Sequence, residues 1–197
     1  ILFLSVCQAN AITDFRGSEV PSINDHPLTV VALMPSLAES LIALGGESQL
    51  IGAPEYTRLS NERKSKVKII GPFNRLSAES IITLHPDLVL ANLDGNDKRL
   101  IEKIENFKIP VVLLDTHSLI SIVRSHEILS KIISHPDLEK LKLLKALLKG
   151  LENPNQSKSV FIQVGWQPLV SVSKKTFVSD IVTISGGRNV LADSFIS

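Results

Sequence analysis

The stretch Thr29-Val30-Val31-Ala32-Leu33-Met34-Pro35-Ser36-Leu37-Ala38-Glu39-Ser40-Leu41-Ile42-Ala43-Leu44-Gly45-Gly46 changes its period in the middle. Thr29 to Leu33 is rich in β-branched residues and reads as the first strand. After Pro35 the apolar positions Leu37, Leu41 and Leu44 share one helical face, and Gly45-Gly46 stops the helix. Ser36 and Glu39 have the spacing of a capping box, which predicts that they satisfy the first amides of that helix. A strand running straight into a segment of helical period is one βα unit of a mainly parallel sheet.

The same alternation continues outward. Leu50 to Ala53 and Val67 to Ile70 read as strands separated by a polar loop from Pro54 to Lys66. Ser77 is placed to cap a helix through Leu84, which His85-Pro86 ends because a residue before proline avoids the helical region. Leu88 to Ala91 returns as a strand, Asn96 starts a helix carrying Leu100, Ile101, Ile104 and Phe107 inward, and Val111 to Leu114 closes the series. A first α/β lobe is thus predicted over 28–118. A helical connector follows over 119–153, with helices from Leu119 to Ile133 and from Leu138 to about Leu151, the second carrying Leu138, Leu141, Leu144, Leu148 and Leu151 on one stripe. A partial second lobe occupies 158–197: a buried strand from Val160 to Val164, Trp166 on a turn with Gly165, Gln167 and Pro168, and a short helix near Phe177 to Val182 closed by Gly186-Gly187. The predicted class is α/β, two Rossmann-like lobes joined by a long rigid helix, the second lobe incomplete in this chain.

The first residues carry a different signal. Ile1 to Val6 is a short apolar run ending near Ala9-Asn10-Ala11, a small-x-small triplet, so residues 1–11 read as the remnant of a secretory signal peptide, with export to the periplasm and a mature start at Ile12. A buried N-terminal strand is the competing reading, but Thr13 to Pro27 offers it neither a turn nor a partner strand. The lone Cys7 lies within this run, and Val6 is bulkier than the small residue that precedes a lipidated cysteine. Cysteine usage therefore carries no further information about compartment.

With 197 residues, 44% of them hydrophobic, the chain can bury one full core and part of another. A net charge of +1 argues against a nucleic-acid partner, and the lysines between Glu139 and Lys149 alternate with leucines as on the wet face of a helix. Catalytic signatures are missing from the sequence: there is no G-x-S-x-G, no G-x-x-x-x-G-K and no C-x-x-C. No two histidines have metal-ligand spacing. His26, His85 and His135 read as surface punctuation and His126 as a half-buried helix residue, while His117 follows a strand end.

Several strings in fixed order carry a resemblance: Ala32 to Glu39, Ser77-Ala78-Glu79-Ser80-Ile81-Ile82 before His85-Pro86-Asp87, Ala91-Asn92-Leu93-Asp94-Gly95-Asn96, and the segment from Phe161 to Asp193. Together they resemble the class III substrate-binding proteins of ABC importers, which bind cobalamin, haem and siderophores, and the cobalamin branch most of all. The resemblance implies a binding protein with no catalytic residues or cofactor of its own, working as a monomer with a permease dimer and its ATPase subunits at the inner membrane. Its ligand would be cobalamin or a related corrinoid, with haem or a ferric siderophore as the alternative; a siderophore would favour basic side chains such as Arg58 and Arg75.

In such proteins the ligand lies between two lobes, against loops at the carboxyl ends of strands, where open α/β sheets generally bind. That rule selects Pro35, Ser36, Tyr56, Phe73, Asn92, Gly95, Asn96, Gly165 and Trp166 as ligand-binding residues. Tyr56, Phe73 and Trp166 supply aromatic walls for a broad apolar plate in a chain only 5% aromatic. Tyr56 reads equally well as solvated, Trp166 as packing, and Asn92 to Asn96 as a turn with a helix cap. Glu79 matches the glutamate that docks on permease arginines, and it also suits the first turn of a helix. There is no resident metal site; His117 enters as an axial ligand only if the ligand is haem.

Overall fold

The computed structural model describes residues 12–21, 28–150 and 158–191. The predicted leader over 1–11, Cys7, His26, Leu151 and Asp193 lie outside the described residues. Two compact units are present: the described residues up to Leu114 with Ile128–Pro136, and Asp115–Glu127 with the described residues from Asp137 onward.

In the first unit, strands β1 (Val30–Ala32), β2 (Leu50–Ala53), β3 (Lys68–Ile69), β4 (Leu88–Asn92) and β5 (Val111–Leu114) form one parallel sheet in the order β3-β2-β1-β4-β5. Helices α1 (Pro35–Ala43), α2 (Ala78–Ile82) and α3 (Lys98–Asn106) lie in the crossovers that parallel pairing demands. Successive side chains of a strand face opposite ways, and both faces here are apolar. Val31, Leu33, Val89, Ala91, Val111 and Leu113 gather with Ile81, Ile101 and Ile104 of α2 and α3. The alternate residues Val30, Ala32, Leu88, Leu90 and Leu114 are also buried, as are Leu37, Ala38 and Leu41 of α1. Each such leucine withdrawn from water contributes roughly 1.5–3 kcal/mol.

Helix α4 (Leu119–Ile132) has residues in both units. In the first unit its end is tied by Gln49, buried after α1: Nε2 donates to the carbonyls of Leu28 and Ile132 at 3.0 Å, and Oε1 accepts from the Ser134 amide at 2.8 Å. The chain packs so closely here that a Cβ on Gly46 would lie 2.8 Å from Leu41 Cδ1 and 2.9 Å from Ile133 Cγ1.

Several local expectations are corrected. Helix α1 starts after Met34, whose side chain makes no capping bond, because Pro35 occupies the first helical position with a preset φ and no N–H to satisfy. Ser36 therefore lies inside the helix, and Glu39 accepts from the Arg58 amide at 3.2 Å instead of closing a capping box. Ser77 does cap α2, but that helix ends at Ile82, and His85 turns at φ +48. Asp97, not Asn96, caps α3 by accepting from the Arg99 amide at 2.9 Å. Phe107 is 59% exposed, because α3 ends at Asn106 and the inward face closes with Ile104. Strand β3 is two residues long, not four.

The segment after Ile12 is also better anchored than its polar composition suggests. Thr13 bridges Glu19, and the buried Asp14 accepts from the amides of Arg16 (2.8 Å), Ser18 (3.0 Å) and Leu113 (3.0 Å). The Phe15 amide reaches the Leu113 carbonyl at 3.1 Å, and the Arg16 guanidinium reaches Glu105 at 2.7 Å and the Val111 carbonyl. This short loop is laid along the outer edge of β5, supplying ladder partners that an edge strand otherwise lacks.

The second unit holds α5 (Leu138–Gly150), β6 (Lys158–Val160), β7 (Gln163–Gly165), β8 (Val170–Ser171), α6 (Phe177–Ile184) and β9 (Gly187–Asn189). The predicted strand Val160 to Val164 is split, because β6 pairs in parallel with β9 while β7 pairs antiparallel with β8. It is also not buried, since Phe161 and Val164 are exposed. Along α5, Leu141 is buried and Leu138 exposed, so the predicted stripe is incomplete at its start. Helix α6 matches expectation: Thr176 accepts from the Ser179 amide at 3.2 Å, and Gly186 turns the chain at φ +82. Asp180 of α6 accepts from the Leu119 amide at 2.9 Å, satisfying one orphan donor at the start of α4.

Candidate functional site

Because the five strands run parallel, the loops that follow them share one edge of the sheet. The order reverses at β1, whose neighbours β2 and β4 lead away on opposite sides, so the loops after β1 and β4 part at this point. Pro35 and Ser36 follow β1, Tyr56 follows β2, Phe73 follows β3, and Gly95 and Asn96 follow β4. The structure thus gathers six of the nine predicted ligand residues, with Asn92 at the end of β4, onto one rim.

Hydrogen bonds make that rim continuous. The Glu55 amide donates to the Gly71 carbonyl at 3.0 Å, joining the loops of Tyr56 and Phe73. Glu39 on α1 holds the Arg58 amide, and Asn96 Nδ2 reaches the Leu33 carbonyl at 3.5 Å, joining the β4 loop to the end of β1. Asn92 and Asn96 are buried and serve the loop itself. The Asn92 carboxamide oxygen accepts from the amides of Asp94 and Gly95 at 3.1 Å each, and that of Asn96 accepts from the Asn92 amide at 2.8 Å. The Asn92-to-Asn96 loop is therefore a preformed turn, with Gly95 exposed over Asn92.

Tyr56 is the outlier of this rim. It occupies the third position of a turn closed by the Thr57 hydroxyl donating to the Pro54 carbonyl at 2.8 Å, and its φ is +67. Glycine or asparagine ordinarily takes that conformation, and a bulky side chain there costs roughly 1–3 kcal/mol. Its ring is 85% exposed, so no buried contact offsets the cost. Phe73, following Gly71 at φ +109, is 43% exposed. Two aromatic faces and the exposed Ser36 hydroxyl are what this edge offers a ligand.

On the same unit Glu79, in the first turn of α2, pairs with Lys103 of α3 and accepts from the Ser77 hydroxyl at 2.6 Å. Lys103 first and Ser77 second hold its carboxyl down at about 2 from an ordinary 4.5. The sequence singles out Glu79 but gives no sign of its partner Lys103, which shares no local pattern with it.

In the second unit, Gly165 and Trp166 lie on the β7–β8 hairpin, whose turn contains a cis Gln167–Pro168 peptide bond. Trp166 is 79% exposed, so it is not core packing, and a Cβ on Gly165 would approach Val170 Cβ at 3.1 Å. His117, half exposed, places Nδ1 3.1 Å from Asp115 Oδ1, and its amide donates to the same oxygen at 2.9 Å. Burial works to raise the Asp115 pKa, but hydrogen bonds from Ser121, the His117 amide and the His117 ring outweigh it, and the carboxyl is held below its usual range. The Asp115 carboxylate beside Nδ1 orients the His117 ring. No helix among the described residues is long and apolar enough to cross a membrane.

Residues 30–196 match the family described as periplasmic binding protein. The Vitamin B12-binding protein of Pectobacterium atrosepticum is 32% identical over 180 residues, 86% of this chain and 64% of its own length. That of Pectobacterium carotovorum subsp. carotovorum is 34% identical over 175 residues, 85% of this chain and 63% of its own. The chain therefore spans just under two thirds of the curated relatives it matches. Among solved structures, the periplasmic vitamin B12 binding protein BtuF of Vibrio cholerae is similar with a TM-score of 0.75 at 24% identity, covering 86% of this chain and 69% of that one. The periplasmic heme binding protein HutB of Vibrio cholerae is similar with a TM-score of 0.72 at 17% identity, covering 87% and 69%. At these identities the two structures establish a shared fold.

Proposed function

The chain belongs to the periplasmic binding protein family, and from that premise we propose that it is the substrate-binding component of an ABC importer, capturing cobalamin or a related corrinoid and delivering it to a membrane permease. The observation that carries this reading is the exposed pair Tyr56 and Phe73 on the carboxyl rim of the parallel sheet. A corrin is a broad, mostly apolar plate, and it gains most from flat aromatic faces with a few polar groups beside them. The curated relatives named for vitamin B12 support the same ligand. Pro35, Ser36 and Gly95 complete this contact set, Asn92 and Asn96 hold its shape, and Gly165 and Trp166 provide a further contact. The role is capture and not catalysis, and the protein works as a periplasmic monomer.

Glu79 is the docking residue for the permease in this proposal. It is exposed at the start of α2, where a permease guanidinium can meet its carboxylate in bidentate geometry.

Haem is the second reading, favoured by the Asp115–His117 pair: a carboxylate beside Nδ1 orients the ring as it does for histidines that ligate iron. The absorbance of ligand copurified with the protein separates the two. Corrin bands support the first reading; a Soret band that disappears in His117→Ala supports the second.

A further inference from the structure

We propose that Glu39 is a positioning residue for Tyr56: from α1, it holds the left-handed turn that presents the Tyr56 ring to ligand. Three ties fix this turn. Glu55 is bound to the Gly71 carbonyl at 3.0 Å, Thr57 bonds back to Pro54 at 2.8 Å, and the Arg58 amide donates to Glu39 Oε1 at 3.2 Å. The first two bond main-chain carbonyls at the turn's base. Glu39 is the tie that comes from a side chain on another element, nineteen residues away, and it grips the turn just beyond Tyr56. A tyrosine at φ +67 whose ring gains nothing from burial reverts to an ordinary conformation unless its neighbours are held. Helix α1 is rigid, with Leu37, Ala38 and Leu41 buried against the sheet, so a carboxylate on its exposed side is a fixed anchor for a loop carrying a ligand contact. Preorganising that contact removes an ordering cost from binding.

The ligand consequence rests on the proposed corrinoid function, so the test has one arm with ligand and one without. Without ligand, amide hydrogen exchange at Arg58 is expected to accelerate at least tenfold in Glu39→Ala and less than threefold in Glu39→Gln, which keeps an acceptor oxygen. With cyanocobalamin, Glu39→Ala is expected to weaken affinity about three- to tenfold, Glu39→Gln to restore it, and the effect to vanish in a Tyr56→Ala background. Unchanged Arg58 exchange in Glu39→Ala overturns the proposal. So does an equal affinity loss with or without the Tyr56 ring, because Glu39 would then act on the ligand directly. If the unaltered protein takes up no cyanocobalamin, the corrinoid reading fails, and Arg58 exchange alone decides the role of Glu39.

Discussion

Tyr56 places a large aromatic ring in water on a backbone conformation that disfavours it. Asparagine tolerates φ near +67 far better, and no packing is lost when an 85% exposed ring is removed. Tyr56→Asn should therefore raise stability by about 0.5–1 kcal/mol in urea unfolding while weakening ligand binding about tenfold; a loss of stability would show that the ring is structural. Glu79 makes a second residue-level prediction. Its folded pKa of about 2 lies below its ordinary 4.5, so its pairing stabilises the fold above pH 4.5 and is progressively lost as the pH falls towards 2. In Lys103→Met, the Glu79 carboxyl followed by NMR should titrate closer to 4.5. In transport assays Glu79→Arg should impair delivery and leave ligand affinity nearly unchanged, and an equal fall in affinity would place Glu79 at the ligand instead. The residue types of the rim were legible in the sequence, but several partners were not. Glu39 and Asn96 look like helix-start residues by spacing, yet each bonds across the fold, Glu39 to Arg58 and Asn96 to Leu33. A local pattern cannot reveal a partner brought close by the sheet.

At the level of elements, the edge of β5 depends on a loop far earlier in the chain. Asp14 is buried and binds three main-chain amides, including Leu113, which is 99 residues away. Removing the carboxylate leaves those amides without their acceptor in a dry site, so Asp14→Ala should cost about 2–4 kcal/mol in urea unfolding. A change below about 0.5 kcal/mol would mean that the edge does not need this loop. The β7–β8 hairpin should behave in the opposite way. Trp166 is exposed, so Trp166→Ala should leave stability nearly unchanged but weaken corrinoid binding by roughly 1–3 kcal/mol. Strands β1, β4 and β5 of the first unit were legible because both of their faces are buried, which produces continuous apolar runs, whereas β3 at the sheet edge is exposed and shorter than its apolar flanks suggest. The break between β6 and β7 was not legible, since Val160 to Val164 is apolar except for Gln163 while its two ends join different ladders.

For the whole molecule, the strand order β3-β2-β1-β4-β5 reverses at β1, and the loops at that edge, the proposed binding edge, carry exposed aromatics and a pre-bonded asparagine turn. Ordered motifs made the fold and family readable, because they mark strand ends where the chain must turn and ligands can approach. Ligand identity is less legible, since aromatic walls suit a corrin and a porphyrin alike. Parallel titration of the protein with cyanocobalamin and with haemin separates a corrinoid carrier from a haem carrier. Saturable cyanocobalamin binding is expected, weakened by Tyr56→Ala and by Trp166→Ala but not by His117→Ala. Absence of cyanocobalamin binding, with haemin bound and lost in His117→Ala, would contradict the corrinoid reading.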